Sequence, residues 1–246
     1  VKPYFDDGQV RLYLGDMREV LPALGLEADC VIADPPYGTT KHSWDSWPDG
    51  WLEAAALASR SMWCFGTLRT FMGRATEFRA AAWKLSQDVI WEKHNGSSPA
   101  SDRFKGVHET VAHWYRGEWA GIRKQVPTTP DAVRRAVRNR GRAAQWGEIG
   151  ALSYSTESGD PRLMRSVIYA RSMNGRAIHE DEKPVAILAP LIEYACPPGG
   201  LVLAPFAGSG SDLEAARQLG RRAIGIELRE ECAEKAARRL SQGVLT

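Results

Sequence analysis

Asp34, Pro35, Pro36 and Tyr37 close a short apolar run, Val31-Ile32-Ala33, and put a carboxylate, backbone carbonyls and an aromatic ring at what reads as a strand end. The prolines fix φ near about −65° and lack an amide proton, so the tetrapeptide holds its polar groups in nearly one arrangement. Acceptors beside an aromatic face suit a flat amine such as the exocyclic nitrogen of a nucleobase. These four residues alone are read equally well as a Pro-Pro turn in which Asp34 caps the next element.

A second cluster lies far along the chain. Leu201 to Ala204 reads as a buried strand, Pro205-Phe206-Ala207-Gly208-Ser209-Gly210 as a small-residue loop, and Ser211 to Arg217 as a helix opening. Glycines admit close approach of a ligand to the backbone, and a helix start leaves amides for polar or anionic groups. A tight strand-to-helix turn needs the same glycines. Arg221 to Ile226 then forms a second strand ending in Glu227, where a doubly wound nucleotide site holds ribose hydroxyls.

The order of these segments carries more than any one of them. Gly15-Asp16, the Asp34 clamp, Trp91-Glu92-Lys93-His94-Asn95, His108-Glu109, His179 to Val185, the glycine loop and Gly225-Ile226-Glu227 together resemble the DNA amino-methyltransferases that use S-adenosylmethionine (SAM). With the clamp first and the glycine loop last, the chain is similar to that family's β group. The resemblance implies an α/β fold: a permuted seven-stranded Rossmann-like sheet with helices on both faces and a small inserted target-recognition region. Residues 1–114 would form the catalytic half, 115–177 the recognition region and 178–246 the SAM-binding half.

It also implies roles. Asp34 and the Pro35 carbonyl would accept hydrogen bonds from the target amine, Pro36 would hold the clamp rigid, and Tyr37 would stack on a base swung out of double-stranded DNA. Phe206, Gly208, Ser209 and Gly210 would shape the methionine end of the SAM site. Glu227 would take the ribose hydroxyls, Asp16 the adenine amine and Lys183 the methionine carboxylate. For Asp16 a helix cap competes with the ligand role, and for Lys183 a solvated helix start does. Trp44 belongs to a loop that would close over the base, or to the core. An Asp at the clamp's first position favours adenine-N6 over cytosine-N4 transfer, since the cytosine enzymes more often begin with Ser. A DNA-binding relative without turnover is the third reading. It is motivated by Ala204, where family members usually carry an acid; Asp212, at the next helix start, is a candidate to restore that charge.

Composition fits these expectations. The 246 residues, 43% of them apolar, suffice to bury roughly 70 to 75% of the unfolded surface in one core. Cys30, Cys64, Cys196 and Cys232 are scattered without a CxxC pair, which argues for reduced thiols and against a zinc site. No apolar stretch approaches a membrane span, so the expectation is a soluble, cytoplasmic protein, in which pairing as a homodimer would follow its relatives. The net charge of +2 hides an uneven distribution. Arg123, Lys124, Arg134, Arg135, Arg138, Arg140 and Arg142 face the single acid Asp131, leaving 25 basic against 29 acidic residues elsewhere. Such a local excess suits DNA phosphates, and Arg134, Arg135, Arg138 and Arg142 have helical spacing; a solvated basic helix without a partner is the plainer reading.

Overall fold

The computed structural model describes residues 1–38, 45–97, 101–139, 152–172 and 182–242. In the N-terminal half the elements are β1 (Phe5–Asp6), β2 (Val10–Leu14), α1 (Met17–Leu24), β3 (Cys30–Ala33), α2 (Trp51–Ala58), β4 (Ser61–Gly66), α3 (Leu68–Ala80), β5 (Lys84–Ser97) and β6 (Gly106–Tyr115). There follow β7 (Thr128–Thr129), β8 (Arg135–Asn139), β9 (Leu152–Thr156), β10 (Arg162–Leu163) and β11 (Val167–Tyr169). The chain ends with α4 (Val185–Ala195), β12 (Leu201–Ala204), α5 (Ser211–Gln218), β13 (Arg222–Glu227) and α6 (Glu230–Ser241).

Nine strands make one sheet in the order β1-β2-β13-β12-β3-β4-β6-β5-β11. All neighbouring pairs are parallel except those of β6 with β4 and β5 and of β1 with β2. The expected seven strands are thus extended at the edges by the two-residue β1 and the three-residue β11. Central strands β3 and β4 are buried along their whole length, as parallel strands covered by helices must be. Val31, Ala33, Met62 and Cys64 pack with α1, α2 and Phe78 of α3 on one face. Helix α4 covers β3 and β4, while α5 and α6 pack on β12, β13 and β2. The first core is aromatic: Trp51 and Trp83 are fully buried, and Phe78 stacks on Trp114 with centroids 3.9 Å apart. Each such ring contributes about 1.5–3 kcal/mol by leaving water.

Local signals explain several boundaries. Asp16 caps α1 by accepting from the Arg18 amide, and Gly25, at φ 55°, ends it in the left-handed conformation that costs glycine least. Helix α4 begins at Val185, with Pro184 in an extended conformation at its N-cap. Strand β5 runs on to Ser97, which pairs with Gly106 at the start of β6.

A second compact unit spans Val126–Arg165, and the first comprises Val1–Gln125 with Ser166–Thr246. The region 115–177 expected for recognition is therefore divided: β11 rejoins the main sheet beside β5. Within the smaller unit, β7 pairs with β10 and β8 with β9, both antiparallel. The helical spacing of its arginines is not realised. Arg135 and Arg138 lie in strand β8, where pairing with Leu152-Ser153-Tyr154-Ser155-Thr156 overrides the high helix propensity of Arg and Ala. Among the described residues no helix is long and apolar enough to cross a membrane.

Candidate active site

From β3 the chain proceeds to β4, and from β12 to β13, so the sheet order reverses between β3 and β12, which are hydrogen-bonded neighbours. Open α/β sheets bind ligands at the carboxyl ends of the strands flanking such a point. Here those ends are Asp34–Tyr37 and Pro205–Ser209, and both line one cleft of about 1010 Å³ within the main unit. Clamp and glycine loop, Asp34–Tyr37 and Pro205–Gly210, far apart in sequence, thus meet at neighbouring strand tips.

The clamp is the floor of a charged network. Lys183 Nζ lies 2.8 Å from Asp34 Oδ2 and 3.2 Å from Glu109, while Lys93 lies 2.8 Å from the other Glu109 oxygen. The Tyr37 hydroxyl is 2.7 Å from Asp34 Oδ1 and 2.8 Å from Glu109 Oε1, so two carboxylates share its single proton. Lys183 also lies over the Phe65 ring at 5.2 Å. Burial pushes the Asp34 carboxyl up, and the Glu109 charge adds to this against the pull of Lys183. Burial pushes Glu109 up too, but Lys183 and Lys93 outweigh it and bring it down to about 2. Burial opposes the charge on Lys183, yet Asp34 and Glu109 raise its pKa on balance. Glu109 is thus firmly ionised, and Asp34 is the carboxylate more ready to accept a proton.

Lys183 was expected at the methionine carboxylate and instead pairs with the clamp, drawn there by two acids in a water-poor site. Glu109 enters the sequence reading only within His108-Glu109 and carries no role there, although it had a signal. Glu109, Val111 and His113 alternate along β6, and all three are buried. An acid on a buried strand face requires a partner.

The cofactor-side expectations fare unevenly. Asp16 is a cap, ion-paired with Arg18 at 2.5 Å, and its pKa is lowered chiefly by that hydrogen bond; it also lines the cleft. Glu227 accepts from the Gly208 amide at 2.8 Å and the Arg229 amide at 2.9 Å, which latches the loop to the end of β13. Gly208 has φ 51° and open space where a side chain would stand, so the backbone there is free to receive a ligand closely. Gly210, at φ 76°, opens α5 with Ala236 close behind it. Phe206 packs edge-on against Trp51 at 5.2 Å and borders the cleft, and Ser209 is buried beside it.

The described basic residues are divided between the two units. Arg123 and Lys124 belong to the main unit, where Arg123 donates to the Gln125 side chain and Lys124 to the Trp119 carbonyl oxygen. Exposed Arg134 and Arg135 and strand residue Arg138 belong to the smaller unit. Trp44, Arg140 and Arg142 lie outside the described residues.

The DNA methylase family (N6_N4_Mtase) matches residues 28–238, which include both halves of the cleft. The chain belongs to this family. Its members transfer methyl groups from SAM to amino groups of DNA bases. The chain is 25% identical over 260 residues to the type II methyltransferase M.ScaI of Streptomyces caespitosus, covering 97% of this methylase and 84% of the relative. Among solved structures it is similar to the M1.HpyAVI–SAM complex, with TM-score 0.66, 20% identity and coverage of 94% and 98%. It is equally similar to the cytosine-N4-specific PvuII DNA methyltransferase, with TM-score 0.66, 15% identity and coverage of 100% and 91%. At such identities the two structures speak for the fold alone.

Ala204 of this methylase is fully buried in β12 and offers the cleft no polar group. Asp212, in the first turn of α5, lines the cleft and is itself buried. Burial pushes its carboxyl up to about 7, opposed mainly by the Leu213 amide. Below about pH 4 the group is protonated in folded and unfolded chains alike and contributes nothing. As the pH climbs towards 7 the unfolded chain gives up the proton first, so stability falls, by something on the order of 4 kcal/mol, and then stays level. Asp212→Asn should therefore melt higher than the wild type at pH 8 and together with it at pH 4, as measured by thermal unfolding without ligand.

Proposed function

We propose that this methylase is a site-specific adenine-N6 methyltransferase acting on double-stranded DNA with SAM as donor. The observation that carries the reading is the shared cleft of Asp34 and Gly208, with an Asp and not a Ser opening the clamp. The residues fit the cofactor: Gly208 leaves an unobstructed backbone, and buried carboxyls at Asp212 and Glu227, whose pKa values burial raises, would gain from a cationic ligand. Phe206, Gly208, Ser209 and Gly210 would hold its methionine end, with Asp212 taking the amine in place of the missing acid at 204. Glu227 would hold the ribose and Asp16 the adenine.

Bound SAM supplies a methyl group on a sulfonium that is already electrophilic. The protein has to present a weakly nucleophilic aryl amine in line and stabilise the positive charge that grows on it. Asp34 and the Pro35 carbonyl accept the amine's hydrogen bonds, which draws its lone pair out of conjugation. Pro36 keeps the clamp rigid. Lys183 and Tyr37 are shared with Glu109, so Asp34 is oriented without being neutralised by a private ion pair, and it is placed to take the proton released after transfer. Tyr37, its hydroxyl tied down, offers a fixed ring for the everted base, and Trp44 would contribute to DNA binding. Arg123, Lys124, Arg134, Arg135, Arg138, Arg140 and Arg142 serve the phosphates, and the unit Val126–Arg165 serves target recognition.

Sequencing of modified bases in DNA from cells expressing the chain tests the reading. N6-methyladenine confined to one short sequence is expected. N4-methylcytosine would transfer the same mechanism to the other base, and unmodified DNA would favour a binding relative without turnover.

A further inference from the structure

Phe104 stands between Arg103 and Lys105 in the turn joining β5 to β6, and its side chain is fully exposed to water (101%). A bare aromatic ring at a turn has no folding role. The strands below it belong to the site: Lys93 and Asn95 of β5, and Gly106, His108 and Glu109 of β6, line the cleft. The neck of this hairpin is tight, because a side chain at Gly96 would run into the Gly106 carbonyl oxygen. The register shifts between Glu92 and Ser97 before pairing resumes at Ser97 and Gly106. The hairpin thus carries an apolar residue with a cation on either side, and Asp102 holds Arg103 at 2.9 Å in an exposed pair that competing phosphates can displace.

Resting on the proposed function, we infer that Phe104 is a wedge that enters the duplex where the target base leaves it. A base taken into the cleft vacates its place in the stack, and an apolar ring is the group that regains stacking there. Arg103 and Lys105 meet the flanking phosphates, which fixes the occupant as a nucleic acid duplex and not an apolar protein partner.

The test compares wild type, Phe104→Ala and Phe104→Trp on a duplex oligonucleotide carrying the mapped site, and on the same duplex with the target base mismatched. A mismatched base leaves the helix readily, so a wedge matters less there. Phe104→Ala should lose at least tenfold more kcat/KM on the matched than on the mismatched duplex, and Phe104→Trp should recover most of that difference. Melting temperatures should coincide for all three proteins. Equal losses on both duplexes, or no loss on the matched one, would overturn the wedge. A wild type that transfers no methyl to either duplex would overturn instead the function on which it rests.

Discussion

Asp34→Asn is expected to slow methyl transfer to DNA by about 10²–10³-fold while leaving SAM affinity nearly unchanged, the size seen when one preorganised group at a developing charge is lost. Asparagine keeps the shape of the side chain and its hydrogen bond with Tyr37, so the fold should persist. What disappears is the negative charge facing the amine, which matters only as nitrogen becomes cationic. The deficit should fall on kcat, since charge develops after binding. Single-turnover kinetics with calorimetric titration of SAM separates the two effects. Parallel loss of transfer and cofactor binding would mean that Asp34 holds the cleft together and does no chemistry of its own.

Lys183→Met should be the most destabilising change at the site. Lys183 and Glu109 side chains are only 10% and 9% exposed, and Asp34 and Glu109 share this cation. Removing it leaves two neighbouring acids with Lys93 alone, and breaking a buried pair costs about 3–5 kcal/mol. For a chain of this length that corresponds to roughly 10 °C in melting temperature. The pH dependence has a definite sign. Without Lys183 the acids keep their protons to higher pH when folded than when unfolded, so the variant loses stability as pH rises from about 4. Its deficit relative to wild type should be large at pH 7 and small at pH 4 in a thermal melt series. A deficit independent of pH would trace instead to lost packing against Phe65.

The sequence made the frame of this site legible because its decisive residues are conformationally restricted. Prolines at 35 and 36 and glycines at 208 and 210 narrow the backbone choices, and short apolar runs before them read as buried strands. The order of the two motifs pointed to the topology that makes β3 and β12 neighbours. What escaped depends on pairings distant in sequence. Glu109 acquires meaning only when β6 lies beside β4 and presents it to Lys183, and Lys183 was placed at the cofactor because the strength of that pairing is invisible along the chain. The arginines of β8 have helical spacing, yet β9 claims their backbone.

The central claim is that clamp and glycine loop act as one site on an adenine amine. Its most direct test is to incubate the purified chain with mixed-sequence duplex DNA and methyl-labelled SAM, digest the DNA to nucleosides and identify the labelled base, with Asp34→Asn alongside. Label is expected in N6-methyl-2′-deoxyadenosine from the wild type and almost none from the variant. Label in N4-methyl-2′-deoxycytidine, or equal label from both proteins, would contradict an adenine-directed site built on Asp34.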